Sequence, residues 1–68
     1  MKLGVGDLFI VKGVKDPDFS FIITEDCGSH YQVTMYYPEG NIKKQTLEYY
    51  MILHFVRKKE FIHYPVVK

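Results

Sequence analysis

The sequence predicts an all-β fold: a small, partly open antiparallel barrel of five to six strands, with one short helical turn near residues 47–51. Apolar residues recur with a period of two over stretches of strand length. Clusters of Gly, Pro, Asn and Asp separate those stretches at turn-forming positions. Helical spacing shows in one short segment only. With 68 residues the chain is read as a single domain over 1–68, of a size that buries only about 60% of its unfolded surface.

Gly4, Gly6 and Gly13 bracket the run Asp7-Leu8-Phe9-Ile10-Val11-Lys12, which reads as the first strand. Lys15-Asp16-Pro17-Asp18 then combines a fixed φ with side chains that bond their own backbone, predicting an exposed loop. Phe19, Phe21 and Ile23 alternate with Ser20, Ile22 and Thr24, giving a second strand with one strongly apolar face and one mixed face. A turn at Glu25–Ser29 leads to the third strand, where Tyr31, Val33, Met35 and Tyr37 share a face. Pro38-Glu39-Gly40-Asn41 is a hairpin signal before Ile42–Thr46, so strands two, three and four are read as an antiparallel meander. After Thr46 the period changes: Leu47, Tyr50 and Met51 sit at helical spacing, with Thr46 as cap and Glu48 complementing the dipole. That turn is expected to bury Tyr50 and leave Tyr49 outside. The helix could extend through His54 and Phe55, but the β-prone residues Ile52, Phe55 and Val56 favour a strand over 52–56. Arg57-Lys58-Lys59-Glu60 reverses the chain, and Phe61–Val66 reads as a last strand that Pro65 confines to an edge.

Apolar residues make up 47% of the chain and aromatics 16%, too rich a composition for a disordered segment. Cys27 is the single cysteine, so no internal disulfide forms, and an intracellular, cytoplasmic setting fits. No apolar run has the length of a signal-peptide core or a membrane span. Net charge is +1, yet residues 1–34 sum to −2 and residues 35–68 to +3. Such asymmetry marks an anionic partner or strands that attract one another side by side; the second reading is the simpler.

Read together, the glycine-bracketed Gly-Asp-Leu-Phe-Ile-Val-Lys, Phe-Ile-Ile-Thr-Glu, Tyr-Gln-Val-Thr-Met-Tyr-Tyr-Pro-Glu-Gly, Ile-Lys-Lys-Gln and the turn at Thr-Leu-Glu-Tyr-Tyr resemble the SH3-like barrel over residues 5–56. They look most like the short barrel proteins of tailed bacteriophages. Members of this fold include peptide-binding modules, nucleic-acid adaptors and virion components, so the resemblance implies a fold and no shared chemistry. The chain departs from a five-strand pattern by continuing for about a dozen residues past Val56, adding a strand or an oligomer contact.

No catalytic or cofactor constellation stands out, and the chain is read as a non-enzyme without metal or cofactor. Cys27-x-x-His30 has ligand spacing, but His54 and His63 are nine residues apart, unlike the second close pair of a structural zinc site. A Cys27–His30 nucleophile lacks the pocket and third group that activation needs. Glu25 and Asp26 are adjacent, so on a strand they point to opposite faces and do not cooperate as acid and base. Gly4-Val5-Gly6 lacks the third glycine, preceding strand and following helix of a phosphate cradle.

Two binding readings remain. Exposed tyrosines at Tyr36, Tyr49 and Tyr64 offer large contact area at low entropic cost to a protein partner, and eleven aromatics exceed what one small core absorbs. Lys43, Lys44, Arg57, Lys58 and Lys59, interleaved with the same rings, offer phosphate contacts and stacking to nucleic acid; near-neutral charge weighs against this. A protein-interaction module is therefore the favoured expectation, with a nucleic-acid adaptor as alternative. Homo-oligomer formation through the C-terminal strand is a third use of the surface, and no membrane partner is implied.

Overall fold

The alternating stretches do become strands. The computed structural model, which describes residues 3–13 and 18–66, holds β1 (Leu8–Val11), β2 (Phe19–Asp26), β3 (His30–Tyr36), β4 (Ile42–Glu48), helix α1 (Tyr49–Arg57) and β5 (Phe61–Tyr64). They form one antiparallel sheet in the order β4-β3-β2-β1-β5. Its first and last strands do not pair with each other, so the sheet is open. Of the expected loop Lys15–Asp18 only Asp18 lies among the described residues; it accepts the Gly13 N–H (3.0 Å) and pairs with Lys12 (3.1 Å).

Local chemistry sets the register. Gly40 N–H donates to the Tyr37 carbonyl and Tyr37 N–H to the Asn41 carbonyl, with Gly40 at φ +93°, a conformation that glycine adopts without Cβ strain. On β2, Ile23 faces Val33 while Glu25 faces Gln32, so Thr24 is the extra residue of a bulge. Its Oγ1 donates to the Gln32 carbonyl (3.1 Å).

Odd-numbered side chains of the sheet build the core: Phe9, Phe21, Ile23, Tyr31, Val33 and Leu47 are buried together with Leu3 and with Ile52 of the helix. Phe9 is the hub. Its ring stacks on Phe21 (4.8 Å, 11°) on one side and on His63 (4.7 Å, 12°) on the other, a ladder across β2, β1 and β5.

The segment after Thr46 differs from expectation. β4 continues to Glu48, and residues 49–57 are helix, so the predicted strand over 52–56 does not exist. The helix begins at Tyr49 rather than Leu47, and Glu48 occupies the cap position without a side-chain cap bond. Tertiary packing decides the matter: Tyr49, Ile52 and Val56, at helical spacing, lie against the odd-residue face and close a core that the sheet alone leaves open. This also inverts the two tyrosines. Tyr49 packs against the core, whereas Tyr50 is 80% exposed and Met51 also points outward.

The helix ends in a Schellman motif, with Glu60 N–H on the Phe55 carbonyl and Lys59 N–H on the Val56 carbonyl. Lys59 takes the left-handed position at φ +62°. The chain then enters β5, which pairs with β1 and stops at Pro65 on the sheet edge.

Candidate functional site

Because odd residues face the helix, even residues face the other way. The register aligns them in two rows across all five strands. One row runs Lys44, Thr34, Ile22, Leu8, Tyr64; the other runs Ile42, Tyr36, Ser20, Ile10, Ile62. No described element lies over them. Ile42, Tyr64 and Tyr36 are 63%, 51% and 41% exposed, and Leu8, Ile10, Ile22 and Ile62 are half-buried. Five strands and two rows span roughly 24 by 13 Å, about 300 Å² in plan. Seven of the ten positions are apolar, with Lys44, Thr34 and Ser20 among them, so the apolar part approaches the scale of the largest patch on an ordinary monomer, which is frequently functional.

The second row contains a notch. Ser20 is the only small residue in it, set between Tyr36 and Ile10, and a cavity of about 390 Å³ opens there, rimmed by Phe19, Tyr37 and Pro38 with Asp18 at its margin. A larger open groove of about 600 Å³ lies beside the β4 edge, lined by Gly28, Ser29, His30, Thr46, Glu48, Tyr49 and Tyr50.

The expected binding residues divide. Tyr36, Tyr64 and Lys44 share the uncovered face. Tyr49 is on the opposite side of the sheet, against the core, and is not one of the outward rings. Lys43 also lies on the helix side, its ammonium 5.6 Å from the Tyr37 ring centroid. Arg57, Lys58 and Lys59 are exposed at the end of α1, ahead of β5, while Lys43 and Lys44 are on the far edge strand. The two basic groups are thus four strand spacings apart, about 19 Å along the sheet, with apolar rows between.

The charge asymmetry of the two sequence halves becomes an asymmetry of ends. Glu25, Asp26, Glu48 and Asp7 gather at the end holding the β2–β3 turn, where no lysine or arginine occurs among the described residues. Burial, then the negative charge of Asp26, pushes the Tyr31 hydroxyl above its ordinary value there. Lys12, Lys43 and Arg57–Lys59 lie at the opposite end, spread across the sheet from β4 to β5 and interspersed with Asp18, Glu39 and Glu60.

Chain comparisons bring no precedent to this face. No family model, curated protein or solved structure matches the chain.

One polar centre escaped sequence reasoning. Asp7 is 3% exposed; its carboxylate accepts the Gly4 N–H (3.1 Å) and the Val66 N–H (3.0 Å) and meets His63 Nε2 at 2.8 Å. Burial acts to raise its pKa, but the Val66 N–H, His63 and the Gly4 N–H together outweigh it and hold the carboxyl below its usual range. This centre ties the N-terminal turn to the C-terminal strand. The signal available was a lone acid entering an apolar run; its partner 56 residues away was not visible.

The histidines do not assemble with Cys27. His63 is engaged with Asp7, His54 lies exposed on α1 and His30 is on β3 beside Ser29. Among the described residues no three potential ligands converge on a common point.

Proposed function

We propose that this chain is a small SH3-like interaction module, without chemistry of its own, that docks another protein on the uncovered face of its sheet. The reading extends to an accessory protein of a tailed phage that binds a host or virion protein in the host cytoplasm or within the particle. The order of a meander, a helix and a fifth strand returning to β1 supports the SH3-like part; the open sheet and the nine-residue helix are its departures.

The observation that carries the functional part is the pair of apolar rows with the Ser20 notch between Tyr36 and Ile10. A water-exposed apolar face of this size is stabilised by being covered, and a notch flanked by an aromatic ring suits an inserted apolar anchor. Division of the basic residues between opposite edges favours this over a nucleic-acid track.

Capture of partners with the full chain tests it, using Ser20→Tyr and Tyr36→Ala as matched baits. Filling or dismantling the notch is expected to cost about 2 kcal/mol, roughly thirtyfold in affinity. Affinity should also change little between low and high salt. A partner held equally by both variants, or nucleic acid bound at low salt and released as ionic strength rises, would overturn the reading.

A further inference from the structure

Among the described residues β4 is the longest free edge, seven residues against four in β5, whose edge is closed off by Pro65. Which of its backbone groups are free follows from two bonds. Tyr37 N–H donates to the Asn41 carbonyl (2.9 Å) and Tyr49 N–H to the Ser29 carbonyl (3.2 Å). In an antiparallel ladder hydrogen-bonded pairs alternate with non-bonded ones, so odd residues of β4 direct their backbone groups to β3. Ile42, Lys44, Thr46 and Glu48 therefore direct theirs outward.

An unsatisfied edge attracts another strand, and natural edges are commonly guarded by lysine. Lys43 and Lys44 look like such guards until the strand is paired with itself. Antiparallel self-pairing must match even residues with even residues if the outward groups are to bond. With Lys44 opposite its own counterpart, like charges meet. Two registers further along, past the one centred on Gln45 that sets Lys44 opposite Thr46 with no charge partner, Thr46 meets Thr46 across a two-fold axis, and Lys44 falls opposite Glu48 of the second copy, twice by symmetry. Opposite-charge and Thr–Thr cross-strand pairs both stabilise antiparallel ladders. Neither Lys44 nor Glu48 takes part in an ion pair among the described residues.

The same register has a further consequence. Ile42 and Tyr50 are the two most exposed large apolar side chains, at 63% and 80%. Extending the pairing past Lys44 brings Ile42 of one copy to the groove where Thr46, Glu48 and Tyr50 of the other form the wall.

We propose that the chain forms a two-fold dimer by antiparallel pairing of β4 with β4 of a second copy, with Thr46 on the axis. The interface is isologous and closes at two copies. It joins two five-stranded sheets edge to edge and leaves both apolar faces on the same side. It does not depend on what docks there.

Sedimentation velocity on the full chain over about 10 µM to 1 mM tests it. The unmodified chain should shift from one-chain to two-chain mass with concentration. Glu48→Lys and Lys44→Glu, each of which sets like charges opposite one another at both symmetry-related positions, should each raise the dimer dissociation constant about tenfold or more. The double variant Lys44→Glu/Glu48→Lys should return it to within about threefold of the original. Thr46→Pro removes an outward N–H and no backbone bond to β3, losing there only the exposed bond from the Thr46 hydroxyl to Gln32 Oε1 (3.2 Å), so it should abolish the dimer while circular dichroism keeps the strand signal. A chain that stays monomeric throughout, a dimer indifferent to both reversals and to Thr46→Pro, or a double variant as dissociated as the singles would overturn the proposal.

Discussion

Replacing Asp7 with alanine is expected to remove about half the stability of this protein. A domain of 68 residues holds roughly 3–10 kcal/mol in total. The carboxylate is 3% exposed and answers two backbone N–H groups and one imidazole nitrogen, all within 3.1 Å. Taking it away strands His63 and the Val66 N–H in a site with little water, and each buried group left without its partner costs about 1–3 kcal/mol, about 2–6 kcal/mol for the two. Asp7→Asn keeps the volume and one acceptor, so about 1–3 kcal/mol is expected.

The pH dependence separates the charge from the shape. The folded carboxyl titrates below its ordinary value of 3.8. A depressed folded pKa gives stability that is fully present above the unfolded value and is lost as pH falls through the folded one. The gap between the unmodified chain and Asp7→Asn should therefore shrink steadily as pH falls below about pH 4. Urea unfolding at a series of pH values measures it. A gap that stays level from neutral pH down to about pH 2.5, or an Asp7→Ala midpoint equal to that of the unmodified chain, would refute the reasoning.

Three further outcomes follow from the same structure. Lys59→Gly relieves a side chain at φ +62° without touching the Schellman bonds and should raise stability by about 0.5–1 kcal/mol in thermal unfolding. Ile52→Ala empties a fully buried site under the helix and should cost about 2–4 kcal/mol, with helical signal lost first on heating; a surface-like cost would show that α1 does not close the core. Tyr64→Ala and Ile42→Ser, on the uncovered face, should change stability by no more than about 0.5 kcal/mol by the same measurement, since no core side chain rests on either.

The meander was legible because its signals are local. Alternation in Phe19–Thr24 and Tyr31–Tyr37 fixes which side chains share a face, and Gly40 after Pro38-Glu39 fixes where the chain turns. The helix was not, because Ile52, Phe55 and Val56 carry β propensity and only the open sheet beneath them makes a helix the better cover. Placing Tyr49 and Tyr50 required knowing where that helix starts: a shift of two residues in the first turn exchanges the inner and outer rings. The uncovered face was half legible. Composition gave too many aromatics for one core, but the rows that join Ile42 to Tyr36, Ser20, Ile10 and Ile62 exist only once four registers are known. Asp7 and His63 meet through the pairing of the first strand with the last, which no local pattern encodes.

Docking on the even-residue face is tested most directly by amide and methyl NMR of the labelled chain titrated with its captured protein partner. Shifts should concentrate on Leu8, Ile10, Ser20, Ile22, Tyr36, Ile62 and Tyr64, and Ser20→Tyr should suppress them. Shifts confined to the exposed side of α1 or to Arg57–Lys59, with the Ser20 neighbourhood unmoved, would contradict it.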